Sequence, residues 1–321
     1  MNFKYLLVFL LLFISSLSLK VQAKKAAYDI VVAQDGSGTY KTVGEAIAAA
    51  PALSKKRTVI YIKSGIYKEK LVLPEDKINI TFLGENKANT ILTYDDYSGK
   101  GDINTFTSYT VKIAGNDFRA ENITFENSAG PVGQAVALHV EADRCVFLNC
   151  RLIGNQDTYY GGPKYTRQYF RNCYIEGTTD FIFGPTVAVF EDCIIHSKKN
   201  SYITAASTPQ DKPFGYVFRN CKLTASPEAT KVYLGRPWRI YAQTVFLNTE
   251  MGAHILPAGW HNWKKPEAEK TAFYAEYHSS GPGGKTDKRV SWAHVLTKQE
   301  AKKYKVKSVL AGNDKWKPDK I

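Results

Sequence analysis

The chain has 321 residues, 44% of them hydrophobic, and its basic residues outnumber its acidic ones 43 to 30. That is enough apolar material for one large core, and no stretch after residue 23 approaches the ~20 apolar residues of a membrane-spanning helix. Five cysteines without a CxxC pair and six scattered histidines argue against a metal site.

In chain order, Met1–Lys4 is short and positive, Tyr5–Leu19 is apolar, and Val21-Gln22-Ala23 offers a small-x-small cleavage site. These features predict a signal peptide over 1–23 and an exported chain over 24–321, with no membrane attachment after cleavage. Losing Lys4 and Lys20 leaves 41 basic and 30 acidic groups, a net +11. Such a protein is drawn to polyanions by a long-range, salt-screened attraction. Nucleic acid, acidic polysaccharide and acidic surfaces all qualify on charge alone. Much of the charge lies in the tail, at Lys298, Lys302, Lys303, Lys305, Lys307, Lys315, Lys317 and Lys320, where solvation accounts for it.

Thr42-Val-Gly-Glu45 is a capping box that opens a short Ala-rich helix, ended by Pro51. Asn79-Ile-Thr and Asn122-Ile-Thr match the glycosylation sequon but fall in predicted strands, so a structural role is expected for both. A repeat then takes over. Phe147-Leu-Asn-Cys150-Arg-Leu recurs as Phe170-Arg-Asn-Cys173-Tyr-Ile, Phe190-Glu-Asp-Cys193-Ile-Ile and Phe218-Arg-Asn-Cys221-Lys-Leu, at intervals of 23, 20 and 28 residues. Looser copies stand at Phe118 and Phe246. Repeats of this length mark a solenoid, and the alternation of apolar and polar residues makes the unit β. Stacked β coils follow, with Phe and Ile pointing inward and Asn at a bend, stacking on its neighbours and bonding backbone groups that the turn leaves unpaired. Loops of varied length on one edge would build the binding face.

Cysteines at equivalent positions of successive coils would stand about one strand spacing apart. Cys173–Cys193 is the preferred disulfide pair; the alternative is that all five are small buried core residues. From Pro257 to Pro282 the repeat fades, and Trp260, Trp263, Phe273 and Tyr274 suggest a tail packed on the flank. A second capping box, Thr297-Lys-Gln-Glu300, begins a basic helix near Tyr304. Short helices are thus expected to cap both ends of a single all-β solenoid.

Two segments carry the chemistry. Asp157 follows Cys150 by seven residues, and Asp180 follows Cys173 by seven. Equal offset from equivalent repeat positions sets the two carboxylates in register on neighbouring coils. At that spacing one carboxyl keeps its proton while the other stays anionic, giving an acid/base and a nucleophile from one residue type. Gln134 and Gln156 could supply neutral donors to an oxyanion. Leu234-Gly-Arg236-Pro-Trp238 adds a cation able to grip a carboxylate with two hydrogen bonds, and a flat aromatic face for a sugar ring.

In this order, Gly130-Pro-Val-Gly-Gln134-Ala-Val-Ala-Leu, Gly-Asn-Gln156-Asp157-Thr, Gly-Thr-Thr-Asp180-Phe-Ile-Phe-Gly and Leu-Gly-Arg236-Pro-Trp238 resemble the motif set of the pectin methylesterases. Val32-Ala-Gln-Asp-Gly-Ser-Gly-Thr and Gly259-Trp260-His-Asn-Trp263 also fit, so the likeness runs from about Ile30 to Val295. The resemblance implies a right-handed parallel β-helix that hydrolyses the C6 methyl esters of polygalacturonate, without a cofactor. Asp180 would be the nucleophile and Asp157 the general acid/base. Gln134 and Gln156 would stabilise the oxyanion, Arg236 would hold Asp180, and Trp238, Tyr160 and Phe183 would line the sugar groove. The partner would be methyl-esterified homogalacturonan rather than nucleic acid, and a secreted monomer is expected. Gly161-Gly-Pro-Lys164 looks like a small insertion that could alter the groove. Nothing resembles the inhibitor-like pro-region of many plant members, which points to a microbial source. A glycoside hydrolase or lyase on the same fold, and a non-catalytic polysaccharide-binding β-helix, are the competing readings.

Overall fold

The computed structural model describes residues 28–163 and 165–320; the expected signal peptide, 1–23, lies outside them. The chain winds through three parallel sheets. The first has eleven strands running from Ile30–Val32 to His294–Val295, the second eight from Gly65–Lys68 to Glu250–Met251, and the third seven from Leu71–Leu73 to Tyr233–Gly235. Each coil visits the three sheets in turn, then rises to pair with the same three strands of the next coil. The result is a right-handed parallel β-helix, the stacked β coils that the repeat predicts in the form that the resemblance implies. Among the described residues no helix is long and apolar enough to cross a membrane.

The repeat's phenylalanine is the core position of the first sheet. Phe147, Phe170, Phe190, Phe218 and Phe246 are paired in register and fully buried. Their rings stack with centroids 4.5, 4.9, 4.6 and 4.4 Å apart and planes within 15° of parallel. Aromatic pairs of this kind add about 0.5–1.5 kcal/mol each beyond the area they bury.

The Asn or Asp two residues after that phenylalanine turns the chain from the first sheet to the second. Asn149, Asn172, Asp192, Asn220 and Asn248, together with Asn122 two residues after the equivalent Ala120, all have φ between 50° and 56°, a left-handed conformation that these side chains tolerate better than most. Their amides bond one another, Asn149 to Asn122 at 2.7 Å and Asn248 to Asn220 at 3.2 Å. The Asn79 amide, at an earlier corner of the same kind, donates to the Ser54 carbonyl oxygen at 2.9 Å as expected from sequence, but the six side chains above show no such backbone bond among the described residues. The corner N–H groups of Asn149 and Asn172 donate instead to Arg171 and Glu191 carbonyls of the next coil. Asn79 and Asn122 stand at such left-handed corners just before strands rather than within them.

The cysteine ladder is present but carries no disulfide. Cys150, Cys173, Cys193 and Cys221 follow the corner, each at the same register position, and all five cysteines are buried free thiols. The Cys173–Cys193 bridge is therefore corrected. In-register side chains point the same way with Cβ atoms about 4.8 Å apart, wider than the 3.5–4.5 Å of a disulfide. The thiols are directed to backbone oxygen instead: Cys173 to Phe147 and Arg171, Cys193 to Glu191, and Cys221 to Phe190 and Arg219, at 3.3–3.4 Å.

The ends are closed in different ways. Helix Val43–Ala49 is capped by Thr42 and Glu45 as predicted, and Val43, Ala46 and Ile47 enter the main core. Glu69 receives the N–H groups of Val43 and Gly44 at 2.9 Å each, holding the helix start on the first coils. The second capping box also forms, over Lys298–Ala301, but its helix does not plug the far end. Leu296, Ala301, Tyr304, Val306, Val309 and Leu310 pack on the outer face of the first sheet against Val146, Tyr169, Val189, Val217 and Val245. The far end is closed by Trp260 and Tyr274, stacked at 4.3 Å with Trp292 beside them. So Trp260 and Tyr274 are core residues, and only Phe273 of that group lies on the flank.

Candidate active site

Asp157 and Asp180 each precede a strand of the third sheet, Tyr159–Gly161 and Ile182–Gly184, and these pair Tyr159 with Ile182 and Tyr160 with Phe183. Two residues earlier, the aspartates are therefore in register on neighbouring coils. Both take left-handed corners, with φ of 67° and 50°. Their N–H groups donate across the coils, Asp157 to Thr179 at 3.1 Å and Asp180 to Tyr202 at 2.8 Å. This fixes both backbones and leaves the carboxylates to the cleft. Gly177 permits the close stacking, because a Cβ there would meet the Asn155 carbonyl oxygen at 2.6 Å.

The two aspartates line one cleft of about 390 Å³ with Thr105, Phe106, Gln134, Gln156, Phe183, Ala205, Arg236, Trp238 and Trp263. Gln134 and Gln156 are joined as a parallel bridge, so the two glutamines line the cleft from adjacent coils. Gly235 brings Arg236 in: a Cβ at that position would collide with the Thr204 hydroxyl. Arg236 then donates from Nε and a terminal nitrogen to the two Asp180 oxygens, at 2.9 and 2.6 Å. The fork goes to Asp180 alone.

This asymmetry separates the carboxyls. Burial pushes the Asp157 carboxyl well above its ordinary range, and the Asp180 charge pushes it further, with Arg236 only partly opposing. Burial also raises Asp180, but the hydrogen bonds and charge of Arg236 pull it back. Asp180 ionises first, and Asp157 is the group that holds a proton.

An aromatic wall completes the cleft. Tyr160 contacts Phe183 at 4.9 Å between centroids, Phe183 contacts Trp238 at 5.9 Å, and Phe106 meets both Tyr160 and Trp238 at 5.2 and 6.4 Å. The sequence-predicted residues thus converge. Phe106 escapes the sequence reading because it lies on a 3-10 turn between the second and third sheets, outside the repeat. Trp263 was assigned to the flank although it ends the Gly-Trp-His-Asn-Trp motif. Tyr202, beside Arg236, carries no motif signal in the sequence. Just beyond the predicted insertion, Tyr165 and Thr166 line another hollow with Arg167, Lys212 and Phe214.

Comparison with known proteins agrees with this arrangement. A family model described as Pectinesterase matches residues 29–313. Pectinesterase 31 of Arabidopsis thaliana is 43% identical over 281 residues, covering 84% of this chain and 88% of that protein. The chain spans about half the length of relatives named pectinesterase/pectinesterase inhibitor, 54% of one from A. thaliana that is 40% identical. The solved pectin methylesterase from carrot superposes with a TM-score of 0.86 at 39% identity, covering 91% of this chain and 96% of its own. A pectin methylesterase in complex with a hexasaccharide superposes at 0.78 with 32% identity, covering 91% and 98%. These curated relatives are plant proteins, so they lend no support to a microbial source. The fold, the motifs in their order and these matches together establish that the chain belongs to the pectinesterase family.

Proposed function

We propose that this pectinesterase hydrolyses the C6 methyl esters of homogalacturonan through an aspartyl acyl-enzyme. The observation that carries the reading is the two-bond grip of Arg236 on Asp180 beside a more proton-retaining Asp157. An Asp180 oxygen attacks the ester carbonyl carbon, and the amides of Gln134 and Gln156 stabilise the tetrahedral oxyanion. As that oxyanion collapses, the departing methoxide takes the proton of Asp157 and leaves as methanol. The Asp157 carboxylate then removes a proton from water, and the hydroxide attacks the acyl carbon. Asp180 is released as carboxylate, Asp157 is again protonated, and the uronic acid product ionises. Trp238, Tyr160 and Phe183 provide apolar faces for the sugar rings.

Export follows from the leader-like residues 1–23, with cleavage after Ala23, and the protein then works as a secreted monomer on methyl-esterified homogalacturonan. Nucleic acid is not its partner. The test is incubation of the exported protein with highly methylated pectin in EDTA, measuring methanol, reducing ends and unsaturated ends. Methanol alone is expected, whereas reducing or unsaturated ends without methanol would favour chain cleavage. Asp180→Asn is expected to release no methanol while keeping the native circular dichroism.

A further inference from the structure

The Arg236 guanidinium that grips Asp180 is itself held by face. Its carbon lies 4.0 Å from the centroid of the Tyr202 ring and 3.7 Å from that of Trp263. Two rings this close to a planar group must lie on opposite faces, so Arg236 is sandwiched with its edge presented to the carboxylate. Trp263 reaches this position through a left-handed backbone, φ 57°, uncommon for an aromatic residue. Its N–H donates to His261 Nδ1 at 2.9 Å. The His261 N–H donates in turn to the carbonyl of Gly235, the residue before Arg236, at 3.1 Å. The His261 ring packs edge-on against Tyr202 and Tyr233, at 5.4 and 5.3 Å between centroids. Burial and the nearby charges of Arg236 and Lys264 hold its pKa below the ordinary histidine value, which keeps the Nδ1 lone pair free to accept. Lys265 ties the same turn to the carbonyls of Pro237 and Trp238 at 3.2 and 2.9 Å.

We infer that His261 and Trp263 form a latch that positions Arg236: His261 Nδ1 holds Trp263 in its left-handed corner, and Trp263 with Tyr202 fixes the plane from which Arg236 aims Asp180. The inference rests on Asp180 being the nucleophile. Trp263 is then more than a wall of the cleft. A wall residue affects how tightly pectin binds, whereas a residue that aims the nucleophile affects the chemical step.

The experiment compares His261→Ala, His261→Asn and Trp263→Leu with the unaltered protein, measuring kcat and KM for methanol release, with circular dichroism as the folding control. His261→Ala and Trp263→Leu are expected to lower kcat about tenfold with KM within about threefold, the scale of one lost cation–π contact. In His261→Asn the Oδ1 can accept the same N–H, and kcat is expected within about threefold of the unaltered enzyme. A change confined to KM, or an Asn variant as impaired as the Ala variant, overturns the latch. Should Trp263→Leu fail to fold, the two His261 variants still decide. Asp180→Asn, assayed alongside, reports separately on the nucleophile: an active Asp180→Asn enzyme refutes that assignment whatever the latch variants do.

Discussion

Arg236→Ala is the sharpest perturbation of the site. Asp180 is 5% exposed, and both of its carboxylate oxygens meet the Arg236 fork, at 2.9 and 2.6 Å. Removing one partner of a buried ion pair costs about 3–5 kcal/mol, because the remaining charge is left buried without compensation. Here the cost falls on the ionised form of Asp180, the form that attacks. At about 1.4 kcal/mol per power of ten, kcat at neutral pH is expected to drop by roughly two to three and a half powers of ten. The direction of the pH response follows as well. Asp180 works as a carboxylate, and without the guanidinium its charged form is less favourable, so the acidic limb of the kcat profile moves to higher pH. Arg236→Lys retains a charge but not the planar two-bond grip, and its loss is expected to be intermediate. The assay is methanol release across pH, with thermal melting to confirm folding. An Arg236→Ala enzyme with unchanged kcat, or with its acidic limb unmoved, would refute the electrostatic role given to this residue.

Asp157→Asn removes the buried group that resists ionisation. A carboxyl whose pKa is raised in the folded state contributes stability below its unfolded pKa, and that stability is lost as pH rises through the folded value. The isosteric Asn escapes this loss, so the variant should melt higher than the unaltered protein at pH 7, with the difference shrinking toward pH 4, and release almost no methanol. Phe190→Ala interrupts the middle of the phenylalanine stack and should cost about 3–5 kcal/mol in urea unfolding, with no direct effect on the aspartates. Thiol titration should find five free cysteines in the denatured protein and almost none reactive in the folded one, and dithiothreitol should leave the melting temperature unchanged. A reductant-sensitive melting temperature would restore the disulfide.

Much of this protein is written locally. Every coil reuses the same corner and the same core position, so Phe-x-[Asn/Asp]-Cys recurs in the chain wherever the chain recurs in space. That periodicity determines the stacked β coils and the register of Asp157 with Asp180, since equal offsets in successive coils become neighbours. Even the choice of Asn or Asp at the bend is a local matter, set by a left-handed backbone. The rest depends on contacts that do not repeat. Whether laddered thiols bond each other or a backbone carbonyl is decided by side-chain direction and strand spacing. The C-terminal segment covers a flank rather than an end because Val146, Tyr169 and their neighbours leave an apolar outer face there. Tyr202 reaches Asp180 through the ladder, one coil on, but Phe106 and Trp263 join the same cleft only because turns outside the repeat close over that coil edge. Periodicity in sequence thus settles what is periodic in structure, while Phe106 and Trp263, on either side of the cleft, belong to the loops that break it.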